Sequence, residues 1–159
     1  MADKKLQSLT FIGRPFPDGM MDAQRTFSKS NLEMEKDENF QKFLKDNNLA
    51  DHRTVMIDFG PDHFMYWYGI VTDQKVEVPK GLMKFVLPEA EVAQEESNGN
   101  LTNFNLPLNY IVPTFFKALT DRGIEVYENP GDSETPYFLQ DLNLTTKKLV
   151  QTWYLKASK

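Results

Sequence analysis

The stretch His63-Phe64-Met65-Tyr66-Trp67-Tyr68-Gly69-Ile70-Val71-Thr72-Asp73 decides how this chain is read. It holds the densest run of aromatic side chains in the sequence and then turns polar. Aromatic and β-branched residues suit a pleated, half-buried surface, so residues 64–71 are predicted to be a strand. Side chains alternate along a strand. Phe64, Tyr66, Tyr68 and Ile70 therefore share one face, and Met65, Trp67 and Val71 the other. Large apolar groups on both faces call for two covers. Helices can supply one; the other needs a second layer or a ligand.

Working outward, residues 54–59 read as a strand joined to this one by Gly60-Pro61-Asp62, which makes a hairpin. Upstream, residues 9–12 read as a strand closed by Gly13-Arg14-Pro15, and Pro15, Pro17, Asp18 and Gly19 mark a loop. Met20-Met21 is either an anchor or a flap on that loop. Ser30 and Glu33 have capping-box spacing, and Phe40, Phe43 and Leu44 form an i, i+3, i+4 stripe. One helix is expected over residues 31–46, ended by Asn47-Asn48.

Downstream, Pro79 and Gly81 punctuate a connector, residues 82–87 read as a strand, and residues 92–95 continue it or pair with it. Ser97-Asn98-Gly99-Asn100 is a turn. Asn105 is placed to cap a second helix with Pro107 in its first turn. Leu108, Val112, Phe115, Phe116 and Leu119 line one face of it, Pro113 should kink it, and Gly123 stops it. Residues 137–142 and 148–155 read as two closing strands around Thr145-Thr146-Lys147.

The order strand, helix, strand, strand thus occurs twice. Aligned as a duplication, Trp153 answers Trp67 and Phe85 answers Thr10; the two offsets differ, so any repeat carries insertions. The expected fold is α+β: duplicated β-α-β-β units, residues 6–73 and 80–157, within a single domain spanning 1–159. They would form a curved, mostly antiparallel sheet with two helices and a central cleft.

At 159 residues the chain can bury a real core. Its 18 Lys and Arg against 23 Asp and Glu give a net charge of −5, which argues against a broad phosphate-binding footprint and so against direct nucleic-acid binding. No cysteine is present, which removes disulfides, thiolate metal sites and thiol nucleophiles. The amino-terminal MADKKLQSLTF lacks the apolar core of a secretory signal, and no apolar run is long enough to span a bilayer. A cytoplasmic protein without membrane contact is expected.

Met65-Tyr66-Trp67-Tyr68-Gly69-Ile70-Val71-Thr72-Asp73, the run Val78-Pro79-Lys80-Gly81 with the strand after it, the helix ending at Leu119 and Gly123, and the final strand with Trp153 at its centre together resemble the GyrI-like small-molecule-binding domain. That family comprises effector-binding domains of bacterial multidrug-responsive transcription regulators, and free-standing copies of them. The resemblance runs from Leu9 to Ala157. It implies two β-α-β-β units about a pseudo-twofold axis, with a cleft between them that takes planar compounds, cations among them, on aromatic and acidic side chains. The chain departs from the family where a glutamate is usual two residues before the last aromatic: Gln151 stands there, and an amide supplies no charge to a cation. With no room for a helix-turn-helix before Leu9, a stand-alone copy is expected.

The candidate ligand-binding residues are Phe59, Trp67, Tyr137 and Trp153, with Gln151 and Glu95 as polar members. On the last strand Gln151, Trp153 and Leu155 share a face; Val150 and Thr152 on the other look small enough for helix packing, which sends Trp153 and Gln151 toward the cleft. Trp67 would be their counterpart in the first half. Glu95 is the one candidate catalytic carboxylate, should the chain resemble those members of the family that hydrolyse reactive electrophiles. A third alternative is a protein-interaction role like that of gyrase-inhibiting members, with a protein partner or a homodimer. His52 and His63 have no companion at metal-ligand spacing, and no phosphate loop or nucleophile elbow occurs, so neither metal nor cofactor is expected.

Overall fold

A computed structural model describes residues 3–157. Eight strands form one antiparallel sheet: β1 (Lys4–Leu6), β2 (Leu9–Pro17), β3 (His52–Phe59), β4 (Phe64–Thr72), β5 (Met83–Leu87), β6 (Ala90–Asn98), β7 (Tyr137–Asn143) and β8 (Lys148–Ala157). Three α-helices accompany it: α1 (Ser28–Lys36), α2 (Glu38–Asp46) and α3 (Leu108–Asp121). The strand order is β1-β6-β8-β7-β3-β4-β2-β5. Exchanging β2 with β6, β3 with β7, β4 with β8 and β1 with β5 reverses this order without changing it. β3 and β7 pair at its middle, Met56 opposite Leu139. The fold is α+β with a curved antiparallel sheet, as the sequence suggests.

The alternation of each strand sorts its residues between two faces. Ile12, Val55, Ile57, Tyr66, Tyr68, Ile70, Phe138 and Trp153 lie against the helices, where Met34, Phe40, Leu44, Ile111, Phe115 and Leu119 pack onto them. Phe11, Met56, Trp67, Leu139, Val92 and Tyr154 face the other way. None of the described helices covers that second face, yet Phe11, Met56 and Tyr154 are fully buried. The sheet itself covers them. Only Pro88 and Glu89 separate β5, at one edge, from β6, next to the other edge. Two residues span at most about 11 Å between the flanking Cα atoms, so the edges must curl toward one another. Phe85 of β5 accordingly touches both Trp67 of β4 and Tyr137 of β7, with ring centroids 5.7 and 5.3 Å apart.

Gly13 and Gly69 permit the bend. They oppose each other across β2 and β4. A Cβ on Gly13 would sit 2.2 Å from the Tyr68 carbonyl oxygen, and one on Gly69 2.1 Å from that of Ile12. Glycine at both positions lets the two backbones meet without side chains on the inner face.

Several expectations are corrected. The single helix over residues 31–46 is two helices, broken at Asp37, whose extended backbone (ψ 115°) ends α1 and whose carboxylate accepts from the Phe40 N–H to begin α2. Arg14 holds the same carboxylate at 2.6 Å. Ser30 caps nothing; it is buried inside α1. Asn105 ends a 3-10 turn (Leu101–Asn105) and accepts from the Asn31 amide, while Pro107 occupies the N-cap of α3. β2 runs on through Pro15 and Pro17, because β5 pairs with it only as far as Gly13. Beyond that point β2 has a free edge among the described strands, where a missing backbone donor costs nothing. β1 had no sequence signal at all. No helix of the described residues is long and apolar enough to cross a membrane.

Candidate functional site

On the helix-bearing face a groove of about 370 Å³ opens between the loop after β2 and the start of α3. Its floor is Ile57 and Phe59 of β3 with Phe64 of β4; one wall is Met21 and Arg25, and the other Leu108, Asn109, Val112 and Pro113. The loop and the floor belong to the first β-α-β-β unit and α3 to the second. The lining is mostly apolar and aromatic.

Local chemistry fixes both walls. Asp22 organises the loop: its carboxylate accepts from the backbone N–H of Gln24 (3.1 Å) and Thr26 (2.8 Å) and from the Thr26 hydroxyl. Those bonds, led by the Thr26 hydroxyl, hold the Asp22 carboxyl below the usual range. Arg25 is left with φ +67°, and its carbonyl accepts from Leu108 N–H at 2.9 Å, which ties the loop to the first turn of α3. Just before the loop, the Asp18 carboxylate lies 3.0 Å from His63 Nδ1 and accepts from Phe64 N–H. Partial desolvation opposes its charge, but these two bonds outweigh that and hold its pKa low.

The floor rests on stacked aromatics. Phe64 meets Phe27 at 6.2 Å, and Phe27 lies flat on Tyr66 at 4.0 Å, 2° from parallel. Behind them a polar network pins α1 to β4. The Tyr66 hydroxyl donates to Asn31 Oδ1 at 2.6 Å, and Tyr68 donates to Glu35, which also takes Arg53 Nε at 2.7 Å. Burial drives both tyrosine pKa values well up, the Glu35 charge adding to it at Tyr68, so both hydroxyls stay protonated donors.

The sequence candidates do not converge. Phe59 lines the groove. Trp153 stands directly behind it, centroids 6.1 Å apart, and edge-on to Phe116 of α3 at 5.0 Å; with 2 % of its surface exposed it is a core residue. The expectation that Trp153 faces away from the helices is therefore wrong. It is Tyr154 that points to the inner face, beside Tyr137 at 5.7 Å. Gln151 shares the Trp153 face but donates to Gln140 Oε1 at 3.0 Å. Glu95, on β6, is held by Arg122 at 3.1 Å, and the same guanidinium grips Asp3. Trp67 and Tyr137 lie on the opposite side of the sheet, where Trp67 Nε1 and Tyr154 Oη find no partner among the described residues. Phe59 and Trp67 thus cannot share one cleft. The sequence did single out Leu108, Val112 and Pro113, though as a packing stripe and a kink. Arg25 carried no signal, because an arginine in a polar loop is by default a solvated one.

No protein-family model matches the chain. No curated protein matches it either. Among solved structures it is similar to SAV2435 bound to tetraphenylphosphonium, with a TM-score of 0.52 at 10% identity over 98% of this chain and 92% of that one. A second, from Staphylococcus aureus MU50 and described in terms of bacterial transcription regulation, gives 0.48 at 10% identity over 98% and 96%. At such identity the first likeness is one of fold: the chain shares its architecture with that structure.

Proposed function

We propose that the chain is a small-molecule-binding protein of the GyrI-like kind, taking flat aromatic or amphipathic compounds into the groove between its two halves. The observation that carries this reading is the groove itself. Its volume of about 370 Å³ falls in the range of ligand sites, and apolar side chains from both halves line it with few polar groups. Met21 adds an adaptable wall. The shared fold with SAV2435, a protein seen with tetraphenylphosphonium, agrees with it. On this reading the protein acts by holding or sequestering its ligand, as an effector-binding domain does. The hydrolase alternative draws no support from Glu95, which is held by Arg122 and is not among the groove residues.

Tryptophan fluorescence tests the reading, because Trp153 stands against Phe59 of the groove floor. Titration with a panel of planar apolar compounds should change the emission saturably. Phe59→Ala should weaken the response. A panel without a single saturable ligand would defeat the proposal.

A further inference from the structure

The lining of the groove carries one charged side chain. Among the described residues, Arg25 is the only ionisable side chain lining it. The Arg25 guanidinium is exposed and makes no ion pair or side-chain hydrogen bond with any described residue. Its backbone is nonetheless fixed on both sides, by the Asp22 turn and by the bond from Leu108 N–H to its carbonyl. Asp18 and Asp22 stay ionised, but their carboxylates are turned to His63, Phe64 N–H, Gln24 N–H and Thr26, and neither residue is among those lining the groove. The opposite wall brings no negative charge: the first turn of α3 carries no acidic residue, and Asn109 adds a neutral amide.

We propose that the groove selects aromatic anions, carboxylates above all, with the ring on Phe59, Phe64 and Val112 and the anionic head on Arg25. Arg25 is then the specificity-determining residue. A guanidinium offers a planar fork that matches a carboxylate, and beside an apolar floor that pairing is less screened than in open water. This rests on the groove being the ligand site, and it assigns the site the opposite charge preference from a cation-binding cleft.

Three probes with one ring system separate the two claims: 2-naphthoate, 2-naphthamide and a (2-naphthyl)methyl trimethylammonium salt, each titrated calorimetrically into the intact protein at low salt. Wild type should bind naphthoate about fivefold more tightly than naphthamide, the scale of one partly screened ion pair. The ammonium probe should bind weakest. Arg25→Asn, which tolerates the positive φ, should abolish the preference, so that naphthoate binds no more tightly than naphthamide. Arg25→Glu should favour the ammonium probe over naphthoate. If naphthamide binds and naphthoate binds no better, or the ammonium probe binds tightest to wild type, the anion preference is overturned while the groove stands. If none of the three binds, both fall.

Discussion

Phe59 and Trp153 meet edge to face, ring planes 72° apart, across the pairing of the two halves, and only Phe59 reaches the groove. Trp153 is the buried support for a floor that a ligand would touch. Trp153→Ala should therefore behave as a core truncation, with a loss of about 3–5 kcal/mol in a denaturant melt. Trp153→Phe should recover much of it. A stability loss under about 1 kcal/mol for the alanine variant would mean that the indole is not packed between Phe59 and Phe116.

Val112 projects into the groove from α3 and is only partly buried. Val112→Trp should fill the space from a side chain that packs only at the margin of the core. Affinity for 2-naphthamide should drop about tenfold or more, while the melting midpoint stays close to wild type. Unchanged affinity in a folded variant would place the ligand elsewhere.

The paired glycines make a stability prediction. A Cβ at Gly69 would fall on the Ile12 carbonyl oxygen and 2.7 Å from Gly13 Cα, so backbone has to move. Gly69→Ala should cost about 1–3 kcal/mol, as overpacked sites do. Gly19 is the control, since a methyl group there would meet nothing within 4 Å: Gly19→Ala should be close to neutral. Equal effects at the two sites in a urea melt would refute the close approach of β2 and β4.

Asp141 supplies the pH dependence. Burial raises its carboxyl pKa, and His52 and the Thr54 hydroxyl only partly oppose that. The folded state therefore holds this proton more tightly than the unfolded chain does. The stability linked to it is full below the ordinary carboxylate pKa and is lost as pH rises through the higher folded value. Asp141→Asn keeps an acceptor for the Thr54 hydroxyl, now 3.2 Å away, and escapes the loss. The variant should be more stable than wild type at pH 7, and the two should converge below about pH 3. Urea midpoints at the two values check it; a less stable variant at pH 7 contradicts it.

The α+β architecture, the β3–β4 and β7–β8 hairpins and the aromatic strand were legible because their signals are local: alternation, turn residues and a helical stripe. What failed was parity. Trp153 aligns with Trp67 only at an even offset, but the faces of β4 and β8 correspond at odd ones: Tyr66 and Tyr68 share the helix side with Leu149 and Trp153. A slip of one residue sends every side chain to the wrong face. Likeness between two tryptophans thus hid the fact that β4 offers tyrosines where β8 offers Trp153. The groove was illegible for another reason. Its walls come from a loop and a helix start joined by the bond between Leu108 and Arg25, and no local pattern encodes that contact.

The most direct test uses the methionine methyl groups as reporters during titration with 2-naphthamide, in protein labelled with ¹³C at those positions. Met21 lines the groove, Met56 is buried on the inner face of the sheet, and Met83 is exposed on β5. The account predicts that the Met21 signal moves saturably while those of Met56 and Met83 stay in place. A shift at Met56 with Met21 unmoved would put the ligand inside the curled sheet and contradict it.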